Sequence, residues 1–130
     1  MDWTNAEAPS LDDIETLAHD CFAELPESFR VLAGDITFMV QDFPDVVVIE
    51  EMALESPFDI LGLFHGPNLA ERGQSSGQNT MVFLYRRPIL DYWAENADPL
   101  GVIIRHVLVH EIGHHFGLSD EAMEEIEEQE

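Results

Sequence analysis

At 130 residues the chain has room for one ordinary domain, and folding should bury roughly two-thirds of its unfolded surface. Apolar residues make up 45% of the sequence, too many for a disordered chain. Twenty-seven Asp and Glu face five basic residues, all Arg; the net charge of -22 repels phosphate backbones and anionic membranes and argues against nucleic-acid and membrane roles.

The acidity reads first as a solubilising surface and second as an attraction for basic peptides or cations. No apolar run approaches the roughly 20 residues of a membrane span. The start, Met1-Asp2-Trp3-Thr4, lacks the basic and apolar stretches of a signal peptide. One cysteine permits no intrachain disulfide. The expectation is a cytoplasmic protein with a single domain over residues 1–130, frayed at 1–9 and 127–130.

Ser10 followed by Asp13 predicts a helix start, and Leu11, Ile14, Ala18, Cys21 and Leu25 form its apolar stripe. Cys21 on that stripe is a packed apolar residue, and its neighbours Asp20 and Glu24 raise its thiol pKa. Alternation from Ile36 to Phe43 predicts a strand ended by Pro44. Residues 45–54 are ambiguous: Val46-Val47-Val48-Ile49 favours a strand, while Pro44 at a first-turn position and Glu50-Glu51 favour a short helix, the reading adopted.

Asp59 to Phe64 and Thr80 to Tyr85 read as two further strands. Between them, Glu71 to Asn79 is a polar Gly/Ser-rich loop, either a plain connection or a lid beside a site. Pro88 can open a short helix through Tyr92-Trp93. Asp98 as cap and Pro99 as first residue predict a longer helix through Ile103, Val107 and Ile112 to about Phe116, stopped by Gly117. Ser119 can cap a last helix, with Asp120 and Glu121 at its positive end and an acidic tail beyond.

The chemistry concentrates in His110-Glu111-Ile112-Gly113-His114. Histidines four apart on a helix differ by about 40° around its axis, so both imidazoles can reach one metal ion. Neutral imidazole suits Zn²⁺, which in catalytic sites keeps three protein ligands and an open water position. Glu111, about 100° round from His110, can reach that water without being a ligand. Gly117 lets the chain turn, and the turn can return Asp120 as third ligand; Asp120 can equally be a plain helix-start residue.

Chance gives H-E-x-x-H about 0.03 times in such a chain, and adding Gly117 and Asp120 lowers this to about 0.0002. The extended pattern resembles the metzincin signature with Asp in place of the last His, as in snapalysin-type zinc peptidases. The whole chain, over about residues 10–126, is similar to the small bacterial zincin-like metallopeptidases. Gly62-Leu63-Phe64-His65-Gly66, Leu84-Tyr85-Arg86-Arg87-Pro88 and the His110-Glu111 helix fall in the same order.

That resemblance implies an α+β, minimal zincin-like fold: a small mixed sheet packed with an N-terminal helix and an active-site helix. It implies His110, His114 and Asp120 as ligands of one Zn²⁺ and Glu111 as general base in hydrolysis of a peptide or protein substrate. It also implies that an edge strand, Thr80 to Tyr85 or Asp59 to Phe64, pairs with extended peptide. The chain departs from metzincins in having only Met123 after Asp120, so their methionine turn cannot be built in the usual way. Tyr85, Tyr92 and His115 are candidates to stabilise the oxyanion.

His106, on the same helix face as His110, could replace a ligand but reads better as a supporting or packed histidine. His115 points elsewhere, and His19 and His65 read as surface or satisfied residues. Arg86-Arg87 could hold a substrate carboxylate, though ion pairing with the fold is the simpler role. The competing functional reading is a non-catalytic metal-binding or partner-binding module, for which Glu111 has no use.

Overall fold

A computed structural model describes residues 2–66 and 80–128. Helix α1 (Leu11–Ala23) opens on a reciprocal cap. The Asp13 amide donates to Ser10 Oγ at 3.0 Å, and the Ser10 amide donates to the Asp13 carboxylate at 2.9 Å. The helix buries Ile14, Ala18 and Cys21. Helix α2 (Glu27–Ala33) buries Phe29 and Ala33 and turns into strand β1 (Ile36–Gln41) through Gly34 at φ 75°.

Strand β1 stops two residues before the expected Phe43. Asp42 already leaves the strand, its carbonyl accepting from the Arg87 amide at 3.0 Å and its carboxylate pairing with Arg86 at 3.1 Å. Residues 46–51 form helix α3 (Val46–Glu51), as read from the sequence. Pro44 precedes it and is not in its first turn; Asp45 is the cap, accepting from the Val48 amide at 3.0 Å. Val46 and Val47 stay 67% and 58% exposed, so a local cap outweighs the strand preference of an unburied valine run.

Strand β2 (Gly62–His65) starts three residues after the predicted Asp59. The Asp59 carboxylate instead ties a turn by accepting from the amides of Glu55 at 3.1 Å and Ser56 at 3.0 Å. Strand β3 (Thr80–Tyr85) has the predicted bounds. Residues 71–79, read as a loop or lid, lie outside the described residues. Helix α4 (Arg86–Glu95) follows β3 directly, with Pro88 in its third position, where no intrahelical donor is needed.

Helix α5 (Leu100–His115) is capped by Pro99, one residue later than expected. The Pro99 carbonyl accepts from Val102 and Ile103, and no side chain caps the helix, Asp98 included. Its far end is a Schellman motif. The Leu118 amide reaches the Gly113 carbonyl at 2.9 Å and the Gly117 amide reaches the His114 carbonyl at 3.1 Å, with Gly117 at φ 76°. Helix α6 (Asp120–Glu128) then starts on Ser119, whose Oγ accepts from the Ala122 amide at 3.1 Å. The tail expected to fray at 127 is therefore helical through Glu128.

The sheet order is β1-β3-β2, with β1 parallel and β2 antiparallel to β3. The fold is α+β. Phe38, Val82 and Leu84 meet α1 and α5 in one core with Ile14, Leu25, Ile104, Leu108 and Ile112. Gly62 lets β2 lie close against α5: a Cβ there would lie 2.7 Å from Val107 Cγ1 and 2.9 Å from the Phe83 carbonyl oxygen. None of the described helices is long and apolar enough to cross a membrane.

Candidate metal centre

Helix α5 is apolar on most of its surface, burying Ile103, Ile104, Val107, Leu108, Val109, Ile112 and Gly113. The remaining face carries His106, His110 and His114, one per turn. Their rings follow one another along the helix, with centroids 3.9 Å apart for His106–His110 and 5.5 Å for His110–His114. Helix α6 folds back antiparallel beside them. Asp120 near its start lies 3.9 Å from His114 Nε2, and Glu127 near its end lies 2.6 Å from His106 Nδ1 and 3.5 Å from His110 Nε2.

Of the three residues read as ligands, His114 and Asp120 thus face each other, while the Nε2 of His110 faces Glu127. That nitrogen is buried and has no hydrogen-bond partner. A buried lone pair or N–H left without a partner costs about 1–3 kcal/mol, a cost that a coordinated ion removes. Imidazoles and carboxylates four residues and one helix turn apart are the donors a divalent zinc ion takes. The residues present therefore fit such an ion.

Glu111 stands beside this face. Burial pushes its carboxyl pKa up, and the nearby His114 draws it partly back. Glu111, His110 and His114 line one wall of a cleft of ≈ 340 Å³, whose other wall is Asp59 to Gly62 at the start of β2. Tyr85, 1% exposed, ends β3 within electrostatic reach. Its phenol pKa is raised to about 12, by burial first and then by the carboxylates of Asp45 and Glu111.

A family model described as zincin-like metallopeptidase matches residues 33–130. The chain belongs to this zincin-like metallopeptidase family. The match takes in β1 through α6 and with them all five residues of the extended H-E-x-x-H pattern. Zinc binding is what the family implies for the chain. No curated protein matches it.

Other sequence readings resolve in this frame. His106 is not packed; its side chain is 58% exposed and bound to Glu127. His115 leans on Phe64 of β2 with ring centroids 4.3 Å apart, away from the histidine face. Tyr92 lies 43% exposed on α4. Arg86 has a structural role, its Nε donating to the Pro9 carbonyl at 2.6 Å and its Nη1 pairing with Asp42. Strand β3 is central and paired on both sides, so Thr80 to Tyr85 has no free edge for a peptide; among the described residues the sheet edges are β1 and β2. Cys21 is buried, its thiol 3.6 Å from the Gly101 carbonyl, with its pKa raised by burial ahead of Glu24.

Two features escaped the sequence reading. Glu127 was assigned to a solvated tail, although its spacing of seven from Asp120 nearly matches the eight from His106 to His114. Met123 is fully buried against Gly113, so tightly that a Cβ on Gly113 would lie 2.5 Å from its sulfur. In place of a methionine turn, a methionine on α6 thus packs directly against the histidine-bearing helix.

Proposed function

We propose that the chain is a zinc-dependent peptidase in which Glu111 is the general base. His110, His114 and Asp120 would hold the ion. When bound, zinc supplies Lewis acidity to the scissile carbonyl and to water. Glu111 accepts the proton of the attacking water at its carboxylate and delivers it to the leaving amine. The raised pKa of Glu111 suits that work, because a more basic carboxylate takes the proton more readily. The outer edge of β2, unpaired among the described residues and continuous with the cleft wall at Asp59 to Gly62, would offer backbone groups to an extended peptide. The net charge of -22 favours peptides over nucleic acids or anionic membranes as partners.

The observation that carries this reading is the half-buried Glu111 carboxyl set beside two motif histidines in a cleft next to a sheet edge. The expected behaviour of Glu111→Gln is unchanged zinc content with peptide cleavage reduced about 10²-fold or more. Cleavage at the wild-type rate by a clean Glu111→Gln preparation overturns the assignment.

A further inference from the structure

We propose that His106, His110 and Glu127 form a second divalent-cation subsite, competing for His110 with the His114–Asp120 pair. Among the described residues, this is the trio of ligand atoms that lie within 4.8 Å of one another. Glu127 offers a different oxygen to each histidine, Oε1 to His106 Nδ1 at 2.6 Å and Oε2 to His110 Nε2 at 3.5 Å. Ligands of a tetrahedral zinc ion stand about 3.4 Å apart, so small rotamer adjustments close the set.

The unsatisfied polar atom points the same way. His110 Nε2 is buried without a hydrogen-bond partner, and the carboxylate nearest to it is that of Glu127. The His106–His110 spacing repeats the His110–His114 spacing, so α5 offers two overlapping i, i+4 histidine pairs. Antiparallel α6 matches each pair with one carboxylate, Asp120 at one end and Glu127 at the other. His110 and Glu127 are only 22% and 21% exposed, a setting in which coordination displaces little water. His106 and Glu127 also line a pocket of ≈ 530 Å³, together with Asp98, Tyr92 and Arg105, with room for water to complete the coordination.

One Nε2 lone pair serves one ion. An ion held by His106 and Glu127 therefore takes His110 away from His114 and Asp120, and the chain holds a single ion in either of two positions on the histidine face. The competition, though not the subsite itself, rests on the ligand set given under the proposed function.

The test is Co²⁺ or Zn²⁺ content per folded chain after removal of excess metal, in wild type, His110→Ala, His114→Ala/Asp120→Ala and His106→Ala/Glu127→Gln, each checked for folding by circular dichroism. Wild type should hold about one ion, His114→Ala/Asp120→Ala should still hold about one, and His110→Ala should lose it. Metal content in His114→Ala/Asp120→Ala as low as in His110→Ala overturns the subsite. Should His106→Ala/Glu127→Gln then keep its ion, the ligand set of the proposed function stands alone. Metal kept by His114→Ala/Asp120→Ala but lost by His106→Ala/Glu127→Gln upholds the subsite and overturns that ligand set. A metal-free wild type overturns both. If the double variants do not fold, ¹⁵N spectra of the wild-type imidazoles decide: added Zn²⁺ should shift the His106 ring signals, and unmoved signals overturn the proposal.

Discussion

Replacing Gly113 by Ala tests whether α6 is held against the histidine helix as closely as the structure has it. The added Cβ would lie 2.5 Å from Met123 Sδ and 2.9 Å from its Cγ. Ordinary contact needs about 3.5 Å or more, so one partner must retreat by about 1 Å. Met123 is fully buried and its sulfur lies mid-chain, so α6 itself has to move. Overpacking of this kind costs about 1–3 kcal/mol, against about 1 kcal/mol gained from the better helix former. The single variant should therefore lose about 1 kcal/mol. Met123→Ala should lose about 2–5 kcal/mol through the cavity it leaves. In that background the clash is gone, and Gly113→Ala should stabilise by up to about 1 kcal/mol. Urea unfolding of the chelator-treated protein, followed by circular dichroism, gives all four corners of the cycle. A Gly113→Ala change that stabilises equally in both backgrounds refutes the close packing.

Two shorter predictions concern single groups. Tyr85 and Tyr92 are the two tyrosines, so phenolate absorbance in Tyr92→Phe reports Tyr85 alone; its midpoint should lie near about 12 when folded. Because the folded pKa is raised above the ordinary 10, the stabilisation from the neutral phenol is complete below pH 10 and is lost as pH rises through about 12. A midpoint near 10 with native circular dichroism contradicts the burial. Gly117→Ala should cost about 1 kcal/mol in the same unfolding assay, entirely through backbone strain, since a Cβ there meets nothing within 4 Å while φ is 76°. No loss of stability in that variant would remove the left-handed turn from the account.

Local signals were legible wherever one side chain or one glycine decided the backbone. Ser10 with Asp13, Gly117 and Ser119 each sit at the helix boundary that their chemistry predicts. Asp45 decided the valine run for the helix, and the sequence reading reached the right element on other grounds. Asp59 was missed because a carboxylate that closes the preceding turn and one that opens a strand look alike until the amides of Glu55 and Ser56 are seen to point at it. Strand order is tertiary: nothing in Thr80 to Tyr85 tells a central strand from an edge, and the peptide-pairing expectation failed there for that reason. At the site, the histidine face followed from helix period alone. The partner of His110 did not, because it depends on the angle at which α6 returns, and that angle is set by Gly113 and Met123.

Helix α6 has one fully buried side chain, Met123, with Ile126 partly buried against the core, the Arg105 guanidinium donating to the Ile126 carbonyl at 3.0 Å and Glu127 bonded to the exposed His106. An element held by so few interactions opens at a lower free energy than the core and does so as one unit. Its amides should exchange with solvent long before those of β3, and a bound ion should slow them most. Asp120 and Glu127 leave and return together in each such opening. A single proteolytic nick in this helix would therefore disarm both ends of the histidine face while the sheet and α5 remain folded.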